Sequence, residues 1–495
     1  MSRDTGIAVK LEVEPEAKPQ PAASPARDSP FRILALADLR GERANAVRLA
    51  DRKAVRIDRD TFDAVLAAHS PALTIAGHTI TFSELDDFHP DRLVARVPLF
   101  GRLRDLRRRL DDPRGFEMAA RELMSDDDAD STSRPALPPS GSLLDAMVEE
   151  VAGPAPAGTP PPRAAPRDDF AAEIRRIVEP HLLPGDDPRR SDLEARIDRA
   201  MTALLRMVLH DPAFQSLEAA WRAIFQFVRR VETGPGLGLW LLDVSIDELA
   251  ADLDATRALE SSVLHRRIVD EATAHGAAPW SLITCDFAFG PDQAAVSRLA
   301  RLAELGRRTG APVLAAADPA LAGATGFATD PDPADWNDTP NHEWEALRRS
   351  GMARWAGLAL PRFLLRVPYG EEGEPCDAFG FEEMESPPAH GAFLWGQASW
   401  ACAILLAQTF AVMGAGMQPG WHQDIDGLPL HIHRDGGVAY AKPCAESVMT
   451  ERAANRLLGC GLMPLASMKD QAAVRLVRFQ SIAHPLAGLA GRWSH

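Results

Sequence analysis

The side chains best spaced for chemistry lie near the C-terminal end of this 495-residue chain. His431 and His433 stand two apart, which places both imidazoles on one face of a strand, since strand side chains alternate. With His422, Asp424 and Asp426 just upstream, they could form a metal centre for hydrolysis. Surface histidines are the plainer account of the same pair. A second pattern is ionic. Arg362 and Arg366 flank the apolar run Phe363-Leu364-Leu365, and Pro361 and Pro368 bracket it. Four apart on a strand, the two arginines fall on one side, where Glu382 or Glu383 could meet them across an internal interface. The alternative is a pair of solvated arginines at strand ends. Gly234-Pro235-Gly236-Leu237-Gly238 has the look of a nucleotide loop, but no Lys-Ser/Thr follows, so a turn is expected. There is no Gly-x-Ser-x-Gly elbow and no Cys-x-x-Cys pair among Cys285, Cys376, Cys402, Cys444 and Cys460. Catalysis and a cofactor are therefore not expected.

Composition narrows the partners. The formal net charge of −16 argues against general nucleic-acid binding, which needs a basic surface. One basic stretch stands out: Arg92, Arg96, Arg102, Arg104, Arg107, Arg108 and Arg109. Charge complementarity with acidic neighbouring protomers, or a solvated helix face, is the expected use. No run reaches the roughly 18 uninterrupted apolar residues of a spanning helix. The apolar stretch from Trp400 to Gly416 is interrupted by Gln408 and glycines and reads as a buried helix, so no membrane insertion is expected. Unpaired, scattered cysteines suit a reducing cytoplasm.

The elements that must position these residues follow from periodicity. Phe31 to Ala37 reads as a buried strand, and Val55-Arg56-Ile57 as a short one. Asp60 is positioned to cap a helix from Thr61 to Ala68, and residues 73–82 read as a hairpin. A helix is expected from about Asp91 to Leu110. Residues 111–168 change character: an acidic run at Asp126-Asp127-Asp128, then Pro-rich stretches, with a short helix at about 142–150. That stretch should behave as an extended tether. Residues 191–231 are patterned as helix, and strands near 238–244, 280–286 and 311–317 alternate with helices. This order predicts an α/β (α+β) fold with mixed, mainly parallel sheets covered by helices. The expected organisation is a disordered tail at 1–29, a small α+β domain at 30–113, a linker at 114–168, a larger α/β domain at 169–485 and a tail at 486–495.

Two sets of motifs carry a resemblance. Residues 30–113 open on Pro30-Phe31-Arg32-Ile33-Leu34 and carry Asp86-Asp87-Phe88-His89-Pro90. They resemble the small subunit, TssB, of the type VI secretion contractile sheath. Residues 210–222 read His-Asp-Pro-Ala-Phe-Gln-Ser-Leu-Glu-Ala-Ala-Trp-Arg, so Phe214, Leu217, Glu218, Trp221 and Arg222 match the large subunit, TssC. Gly357 through Pro361, Arg362, Arg366, Pro368, Tyr369 and Gly370 continue that match, as do Phe381-Glu382-Glu383, Leu394-Trp395-Gly396 and Phe479-Gln480-Ser481. The resemblance implies a structural, non-enzymatic role in assembly. Its implied partners are other sheath or baseplate subunits, an inner-tube protein, and an AAA+ unfoldase that grasps a segment corresponding to residues 142–180.

The same resemblance carries a departure. The match stops soon after Ser481, so the chain is expected to lack the C-terminal, tube-facing part of the large subunit. On that reading it would not form long tubes alone. A trimmed protomer completed by another chain, a sheath-derived accessory protein that does not polymerise, and a degenerate remnant are the alternatives.

Overall fold

The computed structural model describes residues 29–42, 47–111, 118–123, 190–255, 258–337, 341–435, 438–469 and 471–494. The short helix expected at 142–150 lies outside the described residues, as does most of the linker.

The N-terminal part supplies β1 (Phe31–Ala37), β2 (Val55–Ile57), α1 (Phe62–His69), the hairpin β3 (Ala72–Ile75) and β4 (His78–Thr81), α2 (Pro90–Arg96) and α3 (Gly101–Asp111). The hairpin reverses through Ala76 and Gly77, both at positive φ, as a two-residue turn of matching twist requires. Two local expectations are corrected here. Asp58, not Asp60, holds the entry to α1, accepting from the Asp60 and Thr61 backbone N–H groups at 3.1 and 2.9 Å. The helix expected over Asp91–Leu110 is two helices. Val97 is extended because Pro98 follows it, and the α conformation clashes with a following proline ring.

The larger part begins with α4 (Arg190–Leu209) and α5 (Pro212–Arg230). It continues with β5 (Leu237–Asp243), α6 (Ile246–Ala255), β6 (Leu282–Phe289), α7 (Gln293–Thr309), β7 (Val313–Ala317), α8 (His342–Arg349) and β8 (Ala356–Leu360). The pairs β9 (Phe363–Leu364) with β10 (Trp395–Gly396), and β12 (Ile432–Asp435) with β13 (Val438–Ala441), form small separate sheets. The remaining elements are α9 (Ala398–Met413), β11 (Asp424–Asp426), α10 (Glu451–Gly459), β14 (Leu462–Ser467) and β15 (Ala473–Leu476).

One nine-stranded sheet organises all of this, in the order β11-β15-β14-β8-β7-β6-β1-β5-β2. β1 therefore lies inside the sheet, parallel to both neighbours. Phe31 pairs with Leu237 and Ile33 with Leu282. Its apolar run serves two cores at once, because side chains alternate across a strand. Phe31, Ile33, Ala35 and Ala37 join the core under α1, α4, α5 and α9, while Leu34 and Leu36 join the core under α6 and α7. A strand buried on both faces reads as a continuous apolar run for this reason.

The capping of α6 follows the sequence. Ser245 Oγ accepts from Glu248 N at 3.2 Å, and Glu248 returns a bond to Ser245 N at 3.1 Å. Among the described residues, Ala398–Gly416 is long and apolar enough to cross a membrane. Here Trp400 to Ala407 are all buried in the core, against β6, β7 and β8. The last residues also belong to the fold: Leu489 and Ala490 are buried, and Arg492 donates to the carbonyls of Ser29 and Pro30 at 2.9 and 3.2 Å.

Candidate functional site

Several of the residues singled out by sequence, among them Asp87, Phe88, Phe214, Glu218, Trp221, Arg366 and Tyr369, meet at an internal seam between the N-terminal part, α5 and the segment 366–383. α5 starts cleanly because Asp211 Oδ1 accepts from Ala213 and Phe214 N–H at 2.9 and 3.1 Å, with Pro212 at the first helical position. That start aims Phe214 into the N-terminal part. Phe82 and Phe88 stack at 4.2 Å, and the Phe214 ring meets them edge-on at 5.9 and 5.6 Å. Two turns on, Trp221 is fully buried. It packs edge-on against Phe62 at 5.9 Å and donates its Nε1–H to the Leu39 carbonyl, just beyond β1, at 3.1 Å. Leu217, on the same face, is buried in the same core.

Carboxylates fix the loop that carries Phe88. Asp87 is buried and accepts from Ser83 N and Oγ at 2.7 and 2.8 Å, with Arg96 against its other oxygen. Burial pushes its pKa up, but the Ser83 bonds and Arg96 outweigh that and hold it below the usual value. Pro90 opens α2. Asp91 then reaches across the seam, accepting from the Cys376 thiol at 2.8 Å and from Asp377 and Ala378 N–H at 3.1 and 2.9 Å.

The centre of the seam is charged. Glu218 of α5 accepts from Arg222 Nε at 2.6 Å and from Arg366 Nε at 2.9 Å. Arg366 turns its other edge to Glu383, with bonds of 2.6 and 3.0 Å. Glu383 also accepts from Tyr369 N at 2.7 Å. The Tyr369 hydroxyl accepts from Arg222 at 2.9 Å, and its ring lies 4.1 Å from the Arg366 guanidinium. Two carboxylates and two guanidiniums thus balance in a site where Glu218, Glu383 and Arg366 are at most 5% exposed. Burial alone would raise the Glu383 pKa; Arg366, His210 and the Tyr369 amide reverse it, down to about 2. Burial also pushes the Tyr369 phenol up, so it stays a neutral donor and acceptor. His89, from the N-terminal part, packs edge-on against Tyr369 at 5.0 Å and so touches this knot.

The two arginines expected on one side of a strand part company. Arg366 meets Glu383 as the spacing suggested, but Arg362 binds Glu446 at 2.6 Å. His390 adds a contact to the same carboxylate at 3.2 Å, and the Glu446 pKa falls to about 2 despite its burial. The β9 strand is only two residues long, so the four-residue spacing never becomes a shared face. Glu382 instead sits beside Gly370, where any Cβ would meet its carboxylate at 2.2 Å, and accepts from Glu371 N at 2.9 Å. Pro361 follows a cis peptide bond, and Pro368 leads into Tyr369. Trp395 stacks on His390 at 5.1 Å, away from the knot.

His431 and His433 stack 6.1 Å apart, His431 against Phe393 and His433 against Tyr440. Asp424 is taken by Arg475 at 2.6 Å, and no group of three or more possible ligands gathers among the described residues. Part of the basic stretch is engaged inside the chain, while Arg102 and Arg108 stay exposed. Arg107 binds Asp198 of α4 at 2.6 and 3.2 Å, Arg109 binds Glu122 at 2.6 Å, and Arg104 donates to the Val94 carbonyl at 2.9 Å.

Sequence reasoning missed a charged group in the central strands. Asp286, within β6 just after the apolar run Leu282–Cys285, accepts from Trp400 Nε1 at 2.9 Å, and burial raises its pKa to about 7. Asp243, Arg52 and Glu248 tie β5 to α6 nearby, with Arg52 donating to Glu248 at 2.6 Å. A lone acidic residue closing an apolar strand run is the signal that could have shown them.

A nine-stranded, mainly parallel sheet completed by an N-terminal strand, with a buried ionic knot beside it, defines an α/β protein. Comparison with known families places that fold. Residues 192–483, more than half of the chain, match the family model described as "EvpB/VC_A0108, tail sheath N-terminal domain". Residues 7–129 match the model described as "Type VI secretion system, VipA, VC_A0107 or Hcp2". The chain is 28% identical over 339 residues to the type VI secretion system sheath protein TssC1 of Pseudomonas aeruginosa, covering 64% of this chain and 68% of that protein. The chain belongs to the type VI secretion sheath family, with small- and large-subunit types of sequence fused in one polypeptide.

Proposed function

We propose that this chain is a one-piece building unit of a contractile sheath, working in the cytoplasm by protein–protein contact rather than by catalysis. The observation that carries the reading is the position of β1, from the small-subunit-type part, between β5 and β6 of the large-subunit-type part. A strand there is structural for the whole sheet, so one polypeptide supplies the contributions of both sequence types.

Contacts with neighbours have open backbone to use. β2 and β11 are the two ends of the sheet, and the β12–β13 hairpin presents Ile432 and Tyr440, 46% and 48% exposed. Strand addition at such edges gives strength through main-chain hydrogen bonds and register through side-chain pockets. Other sheath or baseplate subunits are the proposed partners, with an inner-tube protein and an AAA+ unfoldase as further ones. Electron cryomicroscopy of sheaths isolated from cells expressing the chain tests this. Density for the chain at the repeating lattice position supports it; a complete sheath lattice without the chain refutes it.

A further inference from the structure

Beside the edge strand β2, on the sheet face opposite α5, three positive side chains converge on a cavity of about 430 Å³. Arg32 of β1 is clamped between the Trp240 and Trp280 rings, at 4.4 and 4.2 Å. One Nη of Arg32 donates to the Ala278 carbonyl, and no carboxylate pairs with its charge among the described residues. Arg267 and Lys53 line the same space, with Glu271 already held by Arg267. Three N–H donors there are buried without an acceptor: Arg32 Nε, Arg267 Nε and Trp280 Nε1. Buried donors are satisfied in nearly all native structures, so three around one cavity mark a place built to face acceptors. Leu34 and Leu242 give the cavity an apolar floor.

We propose that this cavity receives the carboxylate of an acidic, partly apolar peptide segment from a neighbouring protein chain. Converging N–H donors suit a carboxylate, and a guanidinium held between aromatic rings is pre-oriented to meet one. The apolar floor takes the side chain next to the acid. The route of entry is the free edge of the sheet: Lys53 and Ala54 precede β2, the last strand, whose Val55 is 38% exposed. A strand added to β2 runs past the mouth of the cavity. Only the source of the segment rests on the sheath reading; the recognition chemistry belongs to the cavity itself.

Isothermal titration of the full chain tests it, with three probes: an acetylated, amidated Leu-Asp-Glu-Leu peptide, its Leu-Asn-Gln-Leu counterpart, and inorganic phosphate. The acidic peptide is expected to bind saturably, and the amide peptide about tenfold or more weaker, since charge-assisted bonds are about twice as strong as neutral ones. Lys53→Ala, at an exposed rim position, should weaken the acidic peptide several-fold with little change in melting temperature, and Trp280→Phe, which keeps an aromatic face but removes the donor, should weaken it several-fold while lowering the melting temperature through lost core volume. Added salt should weaken it further. Equal binding of the two peptides, binding untouched by both variants, binding of phosphate in place of the peptide, or no saturable binding would each overturn the proposal. Sheath assembly is not part of the readout, so a failure here leaves the assembly reading standing.

Discussion

Two joints hold the chain together by opposite physics: one fastens the N-terminal part into the sheet, the other fastens α5 to the segment that carries Arg366 and Glu383. Around β1 the joint is apolar: a strand hydrogen-bonded on both edges, with side chains filling one core on each face. At the Glu218–Arg222–Arg366–Glu383 knot the joint is ionic, and its stability depends on every charge having its partner. An apolar joint tolerates changes that keep volume and loses stability gradually with cavity size. A buried ionic joint contributes little as a unit compared with a well-packed apolar replacement, yet is costly to break from one side. The first explains how the two parts become one sheet. The second explains how the geometry around Tyr369 and His89 is held in a single arrangement.

The largest effect should come from putting a charge into the apolar joint. Leu36→Asp buries a carboxylate with no counter-charge in the core under α6 and α7, and no cooperatively folded protein is expected by circular dichroism. Removing one side of the ionic joint comes next. Arg366→Met strands Glu383 and half of the Glu218 partnership, for a loss of about 3–5 kcal/mol in urea denaturation. Adding Glu383→Gln to that variant should recover part of the loss; a double variant worse than the single would break the contrast between the two joints.

The pH response separates two carboxylates whose pKa values move in opposite directions, Glu383 down and Asp286 up. Glu383 has its pKa depressed from the ordinary 4.5 to about 2, so its contribution is present above pH 4.5 and is lost as pH falls toward 2. Asp286 is raised from 3.8 to about 7, so the folded state keeps a proton that the unfolded state releases. Its cost therefore grows as pH rises from about 4 to 7. Asp286→Asn keeps an acceptor for Trp400 and should stabilise by roughly 1–3 kcal/mol above pH 7, with the gain vanishing near pH 4 in melts across that range. The smallest expected effect is at the apolar joint: Trp221→Phe keeps most of the ring contact and loses the bond to Leu39, for about 1 kcal/mol.

Much of the seam was legible from sequence because its signals are local. The Ser245–Glu248 box and the apolar run of β1 declare themselves within a few residues, whereas the continuous helical pattern over 191–231 hides the break at Asp211-Pro212 between α4 and α5. The partner of β1 did not declare itself, because strand order is set by packing over more than 200 residues of separation, as in Phe31 against Leu237. The Arg362–Glu446 and Arg107–Asp198 pairs were hidden for the same reason. Charge counting found the arginines but not their destinations. The break at Pro98 was visible and overridden by the surrounding helical pattern, although a proline rarely leaves its predecessor helical.

β1 completes the sheet of its own chain. Hydrogen–deuterium exchange on dilute, monomeric protein, with mass analysis confirming one chain per particle, tests it most directly. The amides of Ile33 to Ala37 are expected to be protected as strongly as those of Leu239 to Leu242 and Ile283 to Cys285, and to open only with global unfolding. Exchange of the β1 amides at loop rates, while β5 and β6 stay protected, would contradict it.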